Sequence, residues 1–194
     1  ACAPFRRLHL CDHNLETIDT KSTTSDTLLA EVCYAAKEEG ESITGRYPQH
    51  QQTNEGTSSQ LCTVLARSFA DIGDIVRGKD LFLGNSVESA QRKVLDENLK
   101  KIFKQIHEKL DSEAQKHYKD DNGGNYYQLR EDWWDANRET VWKAIACNAG
   151  SYQYSQPTCS KDTLSQPKCS CPNAGVPTNF DYVPQYLRWF EEWA

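Results

Sequence analysis

The stretch Leu61-Cys62-Thr63-Val64-Leu65-Ala66-Arg67-Ser68-Phe69-Ala70-Asp71-Ile72-Gly73-Asp74-Ile75-Val76-Arg77-Gly78-Lys79-Asp80 decides the fold. Its apolar residues Leu61, Val64, Leu65, Phe69, Ile72, Ile75 and Val76 fall at three- and four-residue steps, the spacing that lines one face of an α-helix. Gly78 follows the last of them and suits the left-handed residue that ends a helix. The stretch also contains Gly73 to Asp80, which matches the phosphate-loop pattern G-x-x-x-x-G-K up to its last position. That pattern needs a Ser or Thr hydroxyl where the chain has Asp80, and a preceding strand where the chain has a helix. The match is accidental.

Working outward, the same periodicity recurs. Leu28, Leu29, Val32, Cys33 and Ala36 predict a helix entered through Ser25 or Asp26 and stopped near Gly40. Val94, Leu95, Leu99, Ile102, Phe103, Ile106 and Leu110 predict another, capped by Ser86. Trp133, Trp134, Val141, Trp142 and Ile145 form a third stripe. A capping box of Thr178 and Asp181 leads into Phe180, Val183, Tyr186, Leu187, Phe190 and Trp193. Sustained strand alternation is nearly absent. The expectation is an all-α helical bundle, with the aromatic stripes in its core.

Two polar stretches interrupt the helices. Residues 44–59 are rich in Gln, Thr, Ser and Gly and read as an exposed loop between a first unit, 1–58, and a second, 59–194. Residues 150–177 hold Cys159, Cys169 and Cys171 and read as a loop stapled by disulfides. The eight cysteines, Cys2, Cys11, Cys33, Cys62, Cys147, Cys159, Cys169 and Cys171, fit a disulfide framework in an oxidising compartment. Zinc fits less well, because Cys169-Ser170-Cys171 lacks the usual pair spacing and no His lies near it.

Function classes narrow by elimination. A net charge of −6, from 28 acids against 22 bases, argues against nucleic acid as a partner. No nucleophile elbow, zinc-protease or dinucleotide fingerprint occurs, so no catalytic residue and no cofactor or metal is expected. Glu38-Glu39 and Glu191-Glu192 are adjacent and read as solvated faces, and His9 and His13, four apart, as surface residues. Ala1 opens a chain with no Met, which reads as a segment of a longer polypeptide whose membrane anchor lies elsewhere. The absence of any N-x-[ST] sequon suits a cell that makes little use of N-glycosylation. One strip could bind a ligand: Lys93, Lys100 and Lys104 share a helix face with Arg92 and Lys101 beside them. Such a strip would grip a sulfated glycan by neutralising its charge. Against that stand Asp96–Lys100 and Glu97–Lys101, which are favourable i,i+4 pairs of an ordinary solvated face.

Several longer motifs now stand in order: Cys2-Ala3-Pro4-Phe5-Arg6-Arg7-Leu8-His9-Leu10-Cys11, Leu29-Ala30-Glu31-Val32-Cys33, the opening stretch 61–80, Arg130-Glu131-Asp132-Trp133-Trp134-Asp135-Ala136-Asn137-Arg138, and Asp181-Tyr182-Val183-Pro184-Gln185-Tyr186-Leu187-Arg188-Trp189-Phe190-Glu191-Glu192-Trp193. Together they resemble the Duffy-binding-like family, alpha class, of malaria-parasite erythrocyte membrane protein 1. The resemblance implies a disulfide-stapled helical fold with long loops, residues 1–58 being part of subdomain one and 59–194 subdomain two. It implies an adhesion domain on the extracellular face of the infected erythrocyte, binding a red-cell receptor or glycan and varying under pressure from host antibodies. Heparan sulfate, complement receptor 1 and blood-group sugars are the ligands it implies, with rosetting as the outcome. A spacer that only positions neighbouring domains of the same chain is the other reading. Variable surface loops would be 44–59, 118–126 and 150–172. Among the cysteines, Cys11–Cys33 is expected to pair. Cys62 and Cys147 are expected to tie the bundle to the loop through two of Cys159, Cys169 and Cys171.

Overall fold

A computed structural model describes residues 2–21, 23–53, 60–119, 123–154, 157–159, 163–172 and 175–193. Its elements are α1 (Phe5–Leu8), α2 (His13–Glu16), α3 (Ser25–Thr53), α4 (Gln60–Arg77), α5 (Ser86–Glu108), α6 (Ser112–His117) and α7 (Tyr127–Ile145). A two-stranded antiparallel ribbon, β1 (Pro157–Cys159) with β2 (Thr163–Leu164), a 3-10 turn (Phe180–Tyr182) and α8 (Gln185–Trp193) complete it. Among the described residues the protein is all-α apart from that ribbon.

The expected stripe of 61–76 is the centre of the molecule. Leu61, Leu65, Phe69, Ile72 and Val76 are fully buried, and α4 packs against both α3 and α7. The Phe69 ring lies 5.1 Å from Trp134 and 5.3 Å from Trp142, so the tryptophan stripe of α7 closes over it. Gly73 lets the two helices approach this closely, since a Cβ there would sit 2.7 Å from the Trp134 ring. Gly78 ends α4 at φ +73°, as its position predicts.

Other expectations need correction. The helix begun at Ser25 does not stop at Gly40 but runs through Pro48 to Thr53. Gly40 is a packing glycine: an added Cβ would lie 2.0 Å from the Ile145 carbonyl oxygen at the end of α7. The first ten residues of the expected loop at 44–59 are therefore helical, and the rest lie outside the described residues. The cap of α5 is Asn85, one residue before Ser86. Its side-chain oxygen accepts from the backbone N–H of Val87 (2.9 Å) and Glu88 (3.0 Å), and Glu88 accepts back from the Asn85 N–H (2.7 Å). Val94 is 53% exposed and leaves the core stripe of its helix. His9 closes α1 and His13 opens α2, so they share no helix face.

The tail departs furthest. Tyr186, Leu187, Phe190 and Trp193, expected in the core, are exposed, while Gln185, Arg188 and Trp189 of the same helix are buried. The polar side of α8 turns inward because α4 presents two buried carboxylates to it. Asp71 accepts from Arg188 (2.8 Å), Gln185 (3.1 Å) and the Trp189 indole (3.4 Å), with Arg6 of α1 ion-paired at 2.7 Å. Asp74 takes Arg188 and Arg77. Asp181, read as a capping residue, is likewise buried and accepts from Trp134 (2.9 Å) and Arg138 (2.7 Å). Glu39, Glu191 and Glu192 are not simply solvated either. Glu39 is buried and accepts from the Ser68 hydroxyl (2.6 Å) and the Cys11 N–H (3.1 Å), while Glu192 accepts from Arg6 (2.9 Å) and Glu191 lies 3.6 Å from Arg67. A seam of buried charge thus sews both ends of the chain to α4.

Two disulfides form. Cys62 of α4 joins Cys169, tying bundle to loop as expected of Cys62, and Cys159 joins Cys171 inside the loop. Cys147, expected to share that tie, is a free thiol, as are Cys2, Cys11 and Cys33. The expected Cys11–Cys33 bond is not made. The chain before α3 docks antiparallel to it, with Cys11 at Glu39 and Asn14 at Glu31. Cys33 lies on α3 between these two contacts, partly buried, and its thiol stays free. Burial instead pushes the Cys11 thiol up to about 12, Glu39 adding to the effect.

Candidate ligand-binding surface

The candidate strip lies on α5, whose inner face is anchored by Leu95, Leu99, Ile102, Phe103 and Ile106. That burial fixes the rotation of the helix and sends the intervening positions to solvent. Lys93, Lys101 and Lys104 are exposed, with no ion-pair partner among the described residues. Lys93 and Lys104 are within about 20° of one another around the axis and roughly 16 Å apart along it.

Arg92 and Lys100 are different. Arg92 is ion-paired to buried Asp12, and its guanidinium lies over the Phe82 ring at 5.6 Å, so it fastens the segment before α2 to α5. Lys100 is held by Asp96 and Glu97, both at 3.0 Å, and those hydrogen bonds keep it protonated to higher pH than usual. Asp96–Lys100 is the pair its spacing predicts. Glu97 turns to Lys100 instead of Lys101, which leaves Lys101 unpaired. Of five residues in the strip, three are thus available to a ligand and two are engaged by the fold.

A cleft of about 360 Å³ runs beside the strip, between α5 and the segment that follows α4. Arg92, Lys93 and Lys100 line one side, with Asp80, Phe82 and Leu83 opposite. Asp80 is no phosphate-loop residue: it accepts from Arg7 and from Gln185 (2.8 Å). Leu83 in the cleft wall is 74% exposed; Leu81 beside it and Val87 and Val94 on α5 are also more than half exposed, although these three do not line the cleft. Sequence periodicity missed these exposed apolar residues, although Val87 and Val94 are seven apart on one helix and Leu81-Phe82-Leu83 lies outside any helix. The cleft wall itself carries Asp80, Asp96 and Glu97 beside its cations, so what the surface offers an acidic ligand is the row of exposed lysines with exposed apolar side chains nearby. No grouping of His, Cys, Asp and Glu among the described residues could hold a metal ion. No helix among them is long and apolar enough to cross a membrane.

Comparison with known proteins gives this arrangement a family. The model of the Duffy binding domain matches residues 1–188. The NTS-DBL1-alpha and CIDR-gamma double domain of PfEMP1 from the Plasmodium falciparum varO strain is 48% identical over the whole chain, with a TM-score of 0.84. A DBL-beta domain of PfEMP1, solved bound to human ICAM-1, is 28% identical over 97% of the chain with a TM-score of 0.67. The beta form of the Plasmodium knowlesi Duffy receptor is 25% identical over all of it. The chain spans 27% of the varO double domain, 38% of the ICAM-1-bound chain and 14% of the Duffy receptor. With a family model covering nearly every residue and a DBL1-alpha relative sharing almost half of them, the chain belongs to the Duffy binding domain family, on its PfEMP1 DBL-alpha branch.

Proposed function

We propose that this chain is an adhesion domain on the outer face of the infected erythrocyte, and that the α5 strip contacts an acidic glycan or receptor on host red cells. The observation that carries the reading is the set of three exposed, unpaired lysines, Lys93, Lys101 and Lys104. The ICAM-1 complex of the DBL-beta relative supports receptor binding as the mode of action. Heparan sulfate, complement receptor 1 and blood-group sugars are the host ligands this reading puts forward, with rosetting as the consequence.

The test is binding of the oxidised protein to red cells of several blood groups, with and without competing heparin. A Lys93→Ala, Lys101→Ala, Lys104→Ala variant should lose most heparin-sensitive binding. Each lysine that pairs with the ligand should account for about 0.7–0.9 of the slope of log K against log salt, and its removal should flatten the slope by that amount. Unchanged salt dependence would place the site elsewhere. A spacer role has one observation in its favour: Asp96 and Glu97 interleave the strip in a chain of net charge −6. Saturable binding to no red cell of any group is the result that reading requires.

A further inference from the structure

A cleft of about 680 Å³ lies between α1, α3 and α4 and shares no residue with the α5 strip. Its walls are largely apolar: Phe5 from α1, Ile43 and Tyr47 from α3, and Val64 from α4. Phe5 is 68% exposed and is braced by the His9 ring, 4.4 Å away between centroids.

Three arginines line the same cleft, and they differ in what they have left to give. Arg6 is spent on Asp71, Glu192 and Ser68. Arg46 is exposed, with no ion-pair partner among the described residues. The Arg67 Nε–H is buried without an acceptor, and the guanidinium comes no nearer to an anion than 3.6 Å, at exposed Glu191. The one acid in the lining, Glu39, has an oxygen committed to the Ser68 hydroxyl and the other to the Cys11 N–H. Nothing in the lining therefore neutralises Arg46 or satisfies Arg67. A buried donor left unmet costs about 1–3 kcal/mol, which an incoming acceptor recovers. Apolar walls with a few convergent polar groups are the usual form of a recognition cleft.

We propose that this cleft binds an acidic peptide segment in which a carboxylate is flanked by a bulky apolar side chain. The carboxylate pairs with Arg46 and Arg67, using the fork geometry that guanidinium groups offer carboxylates. The apolar side chain packs among Phe5, Ile43 and Val64. A sulfated glycan fits less well, because its hydroxyls would lie against Ile43 and Val64 without partners. The proposal does not depend on the α5 strip.

The test uses a fluorescein-labelled octapeptide alternating Asp with Phe and Leu, followed by fluorescence anisotropy on the intact disulfide-bonded chain. The same peptide with every Asp replaced by Asn, and a heparin octasaccharide, serve as comparators. Saturable binding is expected, weakened about tenfold or more by Arg46→Gln and by the Asn peptide, in line with the loss of a charged hydrogen bond. Arg46 is exposed, so its replacement leaves the fold intact, and Arg67→Gln should give a second, independent loss. The Lys93, Lys101, Lys104 variant should bind the peptide normally, which separates this cleft from the strip. Absence of saturable binding, indifference to Arg46→Gln, or tighter binding and displacement by the octasaccharide would each overturn the assignment.

Discussion

Replacing Asp71 by Asn tests whether the seam of buried charge holds the two ends of the chain to the bundle. Asp71 is fully buried, and its carboxylate takes Arg188, Gln185, Trp189 and Arg6. Burial alone would push this carboxyl up; Arg6 and Arg188 outweigh it and hold the group below the usual carboxylate range. Asn is nearly isosteric and still accepts one bond, so the substitution removes charge with little change in packing. Two guanidinium groups then lose their shared counter-ion while each keeps a second carboxylate, Arg188 at Asp74 and Arg6 at Glu192, so the cost lies toward the low end of the about 3–5 kcal/mol of breaking a buried pair. A folded domain is stable by only about 5–15 kcal/mol, so the loss is a large share of the whole. With a urea dependence of about 2–3 kcal/mol per molar, the midpoint should fall by roughly 1–2 M at unchanged slope. The pH profile supplies a second reading. A carboxyl lowered in the folded state stabilises fully above its unfolded value, about 3.9, and that contribution is lost as pH falls through the folded value. The gap between the two proteins should therefore be constant above about pH 4 and close below it. A midpoint shift under about 0.3 M at pH 7 would refute the seam as an anchor.

Asp74 should behave in the opposite sense. Burial pushes it up to about 6 against the pull of Arg188 and Arg77, so its contribution is greatest below about pH 4 and declines as pH rises towards 6. Asp74→Asn should flatten the urea-midpoint profile between pH 4 and 6, and at pH 7 it should cost far less than Asp71→Asn. Two glycines of α3 make a matched pair for thermal unfolding. Gly40→Ala forces a Cβ to 2.0 Å from the Ile145 carbonyl and should lower Tm by about 6–12 °C, from roughly 3 kcal/mol of overpacking. Gly45→Ala meets nothing within 4 Å and should raise it slightly, by the helix propensity of alanine. The disulfides should rank by loop length: removing Cys62–Cys169, separated by 107 residues, should cost about 4–5 kcal/mol, against about 3 for Cys159–Cys171, separated by 12. Equal losses in guanidinium melts would show that chain entropy is not what sets their worth.

Where apolar residues alone decided an element, the sequence was legible. The stripes of α4 and α7 occupy the core as their spacing predicts, and Gly78 closes α4 as expected. Periodicity failed where a buried charge or a helix–helix contact took over. Nothing local to Gly40 distinguishes a helix stop from a packing glycine, because the difference lies in the Ile145 carbonyl more than 100 residues away. The apolar residues of α8 pattern like a core stripe, yet Asp71 and Asp74 claim the other face of that helix. The long motifs carried the family without indicating which of their residues were anchors: Asp71, Asp74, Arg130 and Arg188 are all part of those motifs and all buried. For the strip, spacing placed five cations near one face. The neutralisation of Lys100 was foreseeable from Asp96, whereas that of Arg92 depends on Asp12 across the fold.

These placements divide the cations by chemistry. Arg7, Arg77, Arg130 and Arg188 are almost completely buried, meeting carboxylates, backbone carbonyls and aromatic faces. The unpaired cations of α5 are all lysines. A guanidinium sheds water more readily than an ammonium and offers more fixed donors, so arginine suits the interior and lysine the surface. On the proposed reading, recognition through α5 would rest on point charges that carry little geometric selectivity and are strongly screened by salt. Selectivity between host ligands would then come from exposed apolar residues near the strip, Val94 on α5 and Leu83 in the cleft wall, which can exchange one bulky side chain for another without touching the core. Val94→Ala and Leu83→Ala should accordingly change the ranking of ligands while leaving the salt slope as it is. The lysine substitutions should do the reverse, and an adhesion assay run at two salt concentrations separates the two outcomes.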